Sequence, residues 1–408
     1  MTNYQSDLLR LLNDRGYIHQ LTDAKALDTL ANKSIIPGYI GFDVTADSLH
    51  VGNLVQIMML RRLQQAGHKP IVLMGGATTK IGDPSGKDEM RKILDDEGIA
   101  SNFAKIRGCF ENFLTFGDGP TDAMMVNNDD WLGQLEYIPF LRDIGRHFTI
   151  NRMLAFDSVK LRLEREQPLT FLEFNYMILQ AYDYLELSRQ YGCKLQMGGS
   201  DQWGNIVNGI ELSRRMDGAE LFGVTTPLIT KADGSKMGKS VDGAIWLNAE
   251  RLSPYDYWQF WRNTDDRDVG KFMRLFTDID LDEIARLESM QGSDINEAKK
   301  VLADAATSMA HGDKAAKEAA TAQQVFEQGG AGGDLPVYLV ESKEISIIDA
   351  LIGIGFCASK GEAKRMVAGG GARIGDEPVK DAGYMIAVSD QDVKISAGKK
   401  KHGLLRKS

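Results

Sequence analysis

Short apolar runs alternate with segments of helical periodicity along the first half of the chain, and this alternation limits the possible folds more than any other feature. The runs GYIGF, IVLMGG, MMVNN and LFGVTTPLI have the composition of buried strands, whereas NLVQIMMLRRLQQAG and FLEFNYMILQAYDYLELSRQ repeat apolar residues at helical spacing. Strands that alternate with helices form parallel sheets covered by helices on both faces. The sequence therefore predicts an α/β fold with a doubly wound, mostly parallel sheet that binds ligands at the carboxyl ends of its strands.

Two polar stretches would lie at those strand ends. The first, SLHVGN, places His50 at the junction between the strand GYIGF and the helix that follows. Free backbone N–H groups and the positive end of the dipole make a helix start an anion site, and a nucleotide phosphate is the first candidate. The second, GGATTKIGDPSG, has four glycines. They let a ligand approach the backbone, although such a loop is often only a tight connection.

A third polar stretch, KADGSKMGKS, resembles a phosphate-binding P-loop. That motif needs four residues between its first glycine and its Gly-Lys pair, whereas Gly234 and Gly238 enclose three, and VDGAIWL follows in place of a helix. We therefore reject the P-loop. The stretch offers Lys236 and Lys239 as point charges for phosphates, and the alternative is a solvated basic turn.

Length and composition place the chain among multidomain proteins of a reducing compartment. With 408 residues, 43% of them hydrophobic, two or three domains are expected. The three cysteines show no disulfide or C-x-x-C spacing and are expected to be buried thiols. The N-terminus lacks the features of a signal or transit peptide, and no apolar run approaches the ~20 residues of a membrane span. A cytoplasmic location without membrane contact is expected.

Charge divides the chain near its C-terminal end. The net charge of −9 argues against general affinity for nucleic acid, but residues 337–408 carry 12 Lys and Arg against 9 Asp and Glu. The glycine-rich EQGGAGGDLP before this basic tail indicates a linker. We predict a catalytic domain at 1–247, a helical domain at 248–327, a linker at 328–336 and a final domain at 337–408.

Together, SLHVGN and SKMGKS resemble the two signatures of class I aminoacyl-tRNA synthetases. More specifically, GFDVTADSLHVGN, GGATTKIGDPSGK, FNYMILQAYD, GGSDQWGN and PLITKADGSKMGKS are similar, in that order and along essentially the whole chain, to the tyrosyl-tRNA synthetases of bacterial type. The resemblance implies a Rossmann-like catalytic domain, a helical domain and a small α+β RNA-binding domain. It also implies a homodimer that activates L-tyrosine with Mg-ATP and transfers it to the terminal adenosine of its tRNA, with no metal site of its own.

The resemblance assigns one group of residues to the nucleotide. Thr45 and His50 match contacts to the γ-phosphate, and Lys236 and Lys239 match a pair that grips pyrophosphate. Lys87 and Arg91 match a further transition-state pair, although their spacing also fits an ordinary surface pair on a helix. The remaining ATP-binding positions implied by the match are Gly52, Asn53, Gly199, Asp201 at the ribose, and Ser240.

A second group is assigned to the amino acid. Tyr176, Gln180 and Asp183 project from one face of the helix FNYMILQAYDYL, which solvent exposure would also explain. The resemblance gives Tyr176 and Gln180, with Asp83 and Gln202, to the tyrosine and its ammonium group. It gives Asp183 and Tyr39 to the phenolic hydroxyl. Buried partners for that hydroxyl reject phenylalanine, a discrimination established for this family.

Two other functions stay open from the sequence. The related tryptophan enzyme is disfavoured because an indole does not call for Asp183 and Tyr39 together. An inactive, synthetase-derived RNA-binding or splicing protein is disfavoured because His50 and the lysines are retained. Asn53, Gly238 and Ile40 depart from the commoner residues of the family. These departures bear on the affinity for the nucleotide and not on whether the chain is active.

The tail has its own pattern. SKGEAKRMVAGGGARIGDEPV begins with a capping box from Ser359 to Glu362 and continues through a basic helix to a strand, and it resembles an RNA-binding module of a ribosomal small-subunit protein. The alternative is a solvated basic face. The match implies that tRNA phosphates are contacted by Lys360, Lys364, Arg365 and Arg373.

Overall fold

The structure is a computed structural model of the chain. It describes residues 4–83, 95–235, 237–240, 243–327, 336–340, 342–375, 377–389, 392–398 and 401–407. Contacts divide the chain into two compact units, Met1–Ala316 and Lys317–Ser408. Across the described residues, none of the helices combines the length and the apolar character needed to cross a membrane.

A six-stranded sheet forms the centre of the first unit. Its strands are β1 (Gln20–Leu21), β2 (Pro37–Asp43), β3 (Lys69–Gly75), β4 (Met124–Asn127), β5 (Leu195–Gly199) and β6 (Phe222–Thr226). Their order is β1-β6-β5-β2-β3-β4; the short β1 pairs antiparallel with β6, and all other neighbours are parallel. The predicted doubly wound sheet is confirmed. The order reverses between β2 and β5, where such sheets bind ligands.

Helices cover this sheet, and the two predicted from periodicity, Val51–Gln65 and Phe171–Tyr191, are among them. They are α1 (Asp7–Asp14), α2 (Ala24–Lys33), α3 (Val51–Gln65), α4 (Asp96–Glu111), α5 (Asp129–Leu132), α6 (Tyr137–Asp143), α7 (Ile150–Leu154), α8 (Asp157–Glu164), α9 (Phe171–Tyr191) and α10 (Trp203–Asp217). The longest, α9, begins with a reciprocal capping box between Thr170 and Glu173 and ends at Gly192, whose φ of 62° is left-handed. These caps fix the register of the helix that carries the predicted tyrosine-binding face.

Two short antiparallel strands of two residues each, β7 (Lys239–Ser240) and β8 (Gly243–Ala244), precede a helical region. Its helices are α11 (Pro254–Arg262), α12 (Val269–Phe276), α13 (Leu281–Glu288), α14 (Ile295–His311) and α15 (Asp313–Glu327). The start of α11 is fixed by its cap, because the Ser253 side chain accepts from the backbone N–H of Asp256 and Pro254 occupies the first turn. Trp258 and Trp261 are fully buried at its centre.

The second unit is a small α+β structure. Among its described residues from 336 onward, a five-stranded sheet has the order β12-β11-β14-β15-β9, a two-stranded sheet pairs β10 with β13, and two helices accompany them. The bounds are β9 (Val337–Val340), β10 (Glu344–Ser346), α16 (Ile347–Gly353), α17 (Lys360–Ala368), β11 (Ala372–Ile374), β12 (Glu377–Val379), β13 (Met385–Ala387), β14 (Val393–Ala397) and β15 (Lys401–Lys407).

The start of α17 differs in one detail from the predicted capping box. Ser359 accepts from the backbone of Glu362 as expected, but the Glu362 carboxylate accepts from the N–H of Ala358, at 2.8 Å. The cap therefore closes one residue earlier than the motif implies. The unit has its own apolar core, centred on Ile347, Leu351 and Leu405. Elsewhere in the fold, the prediction of buried, unpaired cysteines is confirmed for Cys109, Cys193 and Cys357.

Candidate active site

A cavity of about 420 Å³ opens where the strand order reverses. Residues 39–43 of β2 and 196–199 of β5 form its walls, and the start of α3 and one face of α9 complete it. Eleven of the predicted site residues line it: Tyr39, Thr45, His50, Asn53, Asp83, Tyr176, Gln180, Asp183, Gly199, Asp201 and Gln202. The structure thus brings together residues from four of the five sequence motifs, with Tyr39 from the strand before the first of them.

One part of the cavity wall presents a buried acid and a buried phenol. Asp183 is 2% exposed, and its carboxylate accepts hydrogen bonds from Asn128 Nδ2 at 3.1 Å and Trp131 Nε1 at 2.7 Å. Burial raises the pKa of this carboxyl to about 7, and the two hydrogen bonds oppose the shift. Burial, and the nearby Asp183 charge, raise the pKa of Tyr39 well above its usual value.

Three buried polar atoms of the cavity-lining residues have no hydrogen-bond partner among the described residues. They are Tyr39 Oη, Gln56 Oε1 and Gln196 Oε1. Buried polar groups in folded proteins are nearly always paired, and an unpaired one costs about 1–3 kcal/mol. These atoms therefore indicate that the cavity accommodates a polar ligand.

A chain of side-chain amides fixes another part of the cavity. Gln180 Nε2 donates to Gln202 Oε1 at 3.1 Å, and Gln202 Nε2 donates to Asp83 Oδ2 at 3.0 Å. Asn205 Nδ2 donates to Gln180 Oε1 at 2.9 Å and to Gln202 Oε1 at 3.2 Å. Tyr176 lines the cavity with them. The arrangement gathers one carboxylate and several amide oxygens, which suits a ligand cation.

His50 is the N-cap of α3. Its Nδ1 accepts from Gly52 N at 3.0 Å, and the Asn53 side chain accepts from His50 N at 3.3 Å, which completes a capping box. Asn53, a departure from the family signature, thus has a structural role in the helix start. Since a neutral imidazole that accepts at Nδ1 carries its proton on Nε2, His50 has an N–H donor at that nitrogen.

The second signature meets the first at two glycines. Gly238 has a φ of 103°, and a Cβ there would lie 2.7 Å from Gly52 N. The backbone N–H of Val51 also donates to Ile245 O at 2.8 Å, and the His50 and Trp246 rings pack edge to face. The conformation of this segment therefore requires glycine at position 238, where the wider class has serine.

Several predicted site residues lie wholly or partly outside the described part of the chain. Lys87, Arg91 and Lys236 lie outside the described residues, and Lys239 and Ser240 are described by their backbone alone. The predicted linker 328–336 is likewise outside, except for Pro336. In the second unit, all four predicted tRNA contacts are exposed: Lys360, Lys364 and Arg365 on α17 and Arg373 on β11.

The structure adds functional residues that the sequence prediction missed. Asn128 and Trp131, at the start of and within α5, orient Asp183, and Asn128 Nδ2 also donates to Thr78 Oγ1 at 3.0 Å. Asn205 on α10 holds the amide chain. The available signal was the polar stretch NNDDW, which begins at the last residue of β4, since the carboxyl ends of parallel strands share one edge of a sheet.

Comparisons with known proteins show the family of the chain. The model of the family "tRNA synthetases class I (W and Y)" matches residues 32–327. The chain is 68% identical to a tyrosine–tRNA ligase of Novosphingobium aromaticivorans and 66% identical to one of Zymomonas mobilis, and each alignment covers 100% of both chains. The crystal structure of a C-terminally truncated mitochondrial tyrosyl-tRNA synthetase from Aspergillus nidulans matches with a TM-score of 0.71 at 27% identity, covering 79% of this chain and 94% of that one. With its two signature segments packed together at Gly52 and Gly238, the chain belongs to the class I tRNA synthetases of the tryptophan and tyrosine family.

Proposed function

We propose that this chain is a tyrosine–tRNA ligase, which forms tyrosyl-adenylate and pyrophosphate from L-tyrosine and ATP and then transfers the tyrosyl group to the terminal adenosine of its tRNA. The observation that carries the proposal is a pair of buried groups in the wall of one cavity: the Asp183 carboxyl and the Tyr39 hydroxyl, which has no hydrogen-bond partner among the described residues. A phenolic hydroxyl donates to the first and bonds the second. A phenyl ring supplies neither bond, and an indole, with a single N–H donor, supplies at most one.

The other end of tyrosine meets the amide chain. Asp83 balances the ammonium charge, and Gln180 and Tyr176 supply further oxygen acceptors. Gln202 donates to Asp83 and accepts from Gln180, so it holds both in place. Tyrosine is thereby bound at two ends, which leaves its carboxylate to face the nucleotide.

Activation is attack of that carboxylate on the α-phosphorus of Mg-ATP, with pyrophosphate as the leaving group. Catalysis of such a step is mainly orientation of the two anions and stabilisation of charge on phosphate oxygens. His50 donates from Nε2 and Thr45 from its hydroxyl, at the start of α3. Asp201 and Gly199 bind the ribose side, with Gly52, Asn53 and Ser240 beside the phosphates. Lys87, Arg91, Lys236 and Lys239 are assigned to phosphate charge from the sequence.

The second unit is proposed to grip tRNA. Lys360, Lys364, Arg365 and Arg373 are exposed and basic, as contacts to phosphates require. We infer a cytoplasmic location, where tRNA and the reducing conditions suited to three free thiols are found.

A second copy of the chain is the proposed partner of an apolar surface on the first unit. Tyr137 and Ile138 on α6 are 60% and 68% exposed, and Phe171 and Leu172 at the start of α9 are 69% and 45% exposed. Tyr137, Phe171 and Leu172 line one groove with Leu132 and Phe140. Exposed apolar surface of this kind marks a protein interface. Phe171→Glu should yield monomers in sedimentation experiments, whereas Ile35→Glu, at an exposed apolar residue of another region, should leave a dimer.

Exchange of labelled pyrophosphate into ATP tests the activity, compared across tyrosine, phenylalanine and tryptophan. We expect exchange with tyrosine alone, and Tyr39→Phe should reduce the preference for tyrosine over phenylalanine. Equal exchange with tryptophan would contradict the assignment of tyrosine. No exchange with any of the three would favour the inactive RNA-binding protein.

A further inference from the structure

The segment that leads into the second signature is tied to the helical region by two hydrogen bonds at its base. Ala232 N donates to Asp268 Oδ2 at 2.6 Å, and Lys271 Nζ donates to Thr230 O at 2.6 Å. Asp268 and Lys271 also form an ion pair of 3.0 Å. In addition, Lys231 Nζ lies 5.7 Å from the centre of the Phe260 ring on α11. The contacts fix three successive residues, 230 to 232.

Asp268 is an unusual residue for such a contact because it is 3% exposed. Burial of a carboxylate is costly unless it is paired and hydrogen-bonded. Both of its oxygens have partners, one in the segment and one in Lys271, and it precedes the first turn of α12, where the helix dipole favours a negative charge. The carboxylate is therefore held in one place.

Beyond this anchor, residues 231–235 form a turn closed by its own hydrogen bonds, which we name the lysine turn. Lys231 N donates to Ser235 O at 2.8 Å, and Gly234 N donates to Lys231 O at 2.9 Å. Asp233 accepts from the backbone and hydroxyl of Ser235. Such a turn moves as one body, so the contacts at its base determine where it lies.

The other end of α12 is tied to the helix that begins at His50. Arg62, near the end of α3 and 1% exposed, donates to Thr277 O and pairs with Asp278 directly after α12. One short helix therefore contacts the base of the lysine turn at its start and α3 at its end. This links the positions of the two signatures through α12.

We propose that Asp268 and Lys271 are positioning residues for ATP-dependent activation, which hold the lysine turn in register with the helix start at His50. They touch no substrate and act through Thr230 and Ala232. The proposal rests on the proposed function, because the turn matters only if the segment after it acts on phosphates. A misplacement of about 1 Å in such a site is enough to slow chemistry by orders of magnitude.

The test uses the full chain and two readouts. Asp268→Ala should slow single-turnover adenylate formation by about tenfold or more, while the tyrosine Kd measured without ATP stays unchanged. It should also speed tryptic cleavage after Lys231, because an unanchored turn opens more often. Asp268→Asn keeps an acceptor for Ala232 N and should restore most of the rate.

Asp265→Ala is the matched control. Asp265 caps the short turn before α12 through Arg267 N and has no bond to the described residues of the lysine turn. Its loss therefore weakens the turn before α12 without releasing the anchor. Equal slowing by Asp265→Ala and Asp268→Ala would overturn the proposal, as would a normal adenylation rate or unchanged cleavage in Asp268→Ala. Absence of tyrosine-dependent exchange in the unmodified protein would refute the proposed function instead, and faster cleavage would still establish the anchor.

Discussion

Asp183 links amino-acid binding to pH. Burial raises the pKa of its carboxyl to about 7, so much of it is protonated below that pH. The phenolic hydroxyl of tyrosine donates to the ionised carboxylate, so binding lowers the pKa of Asp183 and releases a proton. Binding is therefore tighter at higher pH. Tyrosine affinity should therefore fall by about fivefold or more between pH 8 and pH 5.5, measured by equilibrium dialysis. Asp183→Asn removes the titrating group and should show weak affinity with little pH dependence; a flat profile for the unmodified protein would contradict the assignment.

Gly238 lets two backbones approach each other. A Cβ at this residue would lie 2.7 Å from Gly52 N, whereas a Cβ at Gly234 meets no atom within 4 Å, and both glycines have a positive φ. Gly238→Ala should therefore slow adenylate formation by about tenfold, because the segment must move away from the helix start at His50. Gly234→Ala has the same kind of backbone strain without the collision and should retain most of the rate. Similar rates for both variants would show that backbone strain, rather than the close approach, limits the step.

Among the elements, α3 is held to the helical region by ion pairs near its C-terminal end. Arg61 and Arg62 both pair with Asp278, and they lower the pKa of its carboxyl to about 2 against the opposing effect of burial. Asp278→Asn leaves the buried Arg62 without its anion and should reduce the free energy of unfolding by about 2 kcal/mol at pH 7. Urea unfolding measures this loss.

The same ion pairs set the pH dependence of that difference. A carboxyl with a lowered pKa stabilises the fold at pH values above its unfolded pKa near 4, and this contribution is lost as the pH falls toward 2. The difference in free energy of unfolding between the unmodified protein and Asp278→Asn should therefore decrease as the pH falls from about 4 to about 2. Glu283→Gln, which breaks an exposed pair with Arg286, serves as the control and should change stability by less than about 0.5 kcal/mol.

The elements also show which parts of the fold the sequence could predict. Long periodic segments such as α3 and α9 and the apolar strands β2, β3, β4 and β6 were predictable because many residues repeat one signal. The prediction missed β5, since LQMGG has one large aliphatic residue and two glycines, and β1, which has two residues. Their places in the sheet come from neighbouring strands and not from local propensity.

The same reasoning applies to the site. Tyr176, Gln180 and Asp183 repeat along one helix face and so could be grouped in advance. Asn128 and Trp131 could not, because their role depends on how α5 packs beside α9 rather than on any spacing within the sequence. The role of Asp268 could not be predicted for a similar reason, because the backbone N–H from which it accepts a hydrogen bond is 36 residues away in the sequence.

At the scale of the whole molecule, the proposed division of labour between the two units can be tested by truncation. A chain that ends at Pro336 should fold, since the described contacts of Met1–Ala316 form a compact unit and the A. nidulans relative was solved in a C-terminally truncated form. It should form adenylate at a normal rate and fail to charge tRNA. Its tRNA binding should also depend less on salt, each lost phosphate contact contributing about one unit or less of logarithmic slope. Charging at the full-length rate would show that the tail is not the tRNA-binding element.

The hydrogen bonds behind Asp183 have a consequence for attempts to reassign this protein to unnatural amino acids. A para-substituted phenylalanine with an apolar tail needs a pocket in which Asp183 and Tyr39 are replaced by smaller, apolar residues. That change would leave Trp131 Nε1 and one N–H of Asn128 Nδ2 without their acceptor, at about 1–3 kcal/mol each, while the other N–H of Asn128 keeps its bond to Thr78 Oγ1. Libraries for altered specificity should therefore vary Asn128 and Trp131 together with Asp183 and Tyr39, as one four-residue unit.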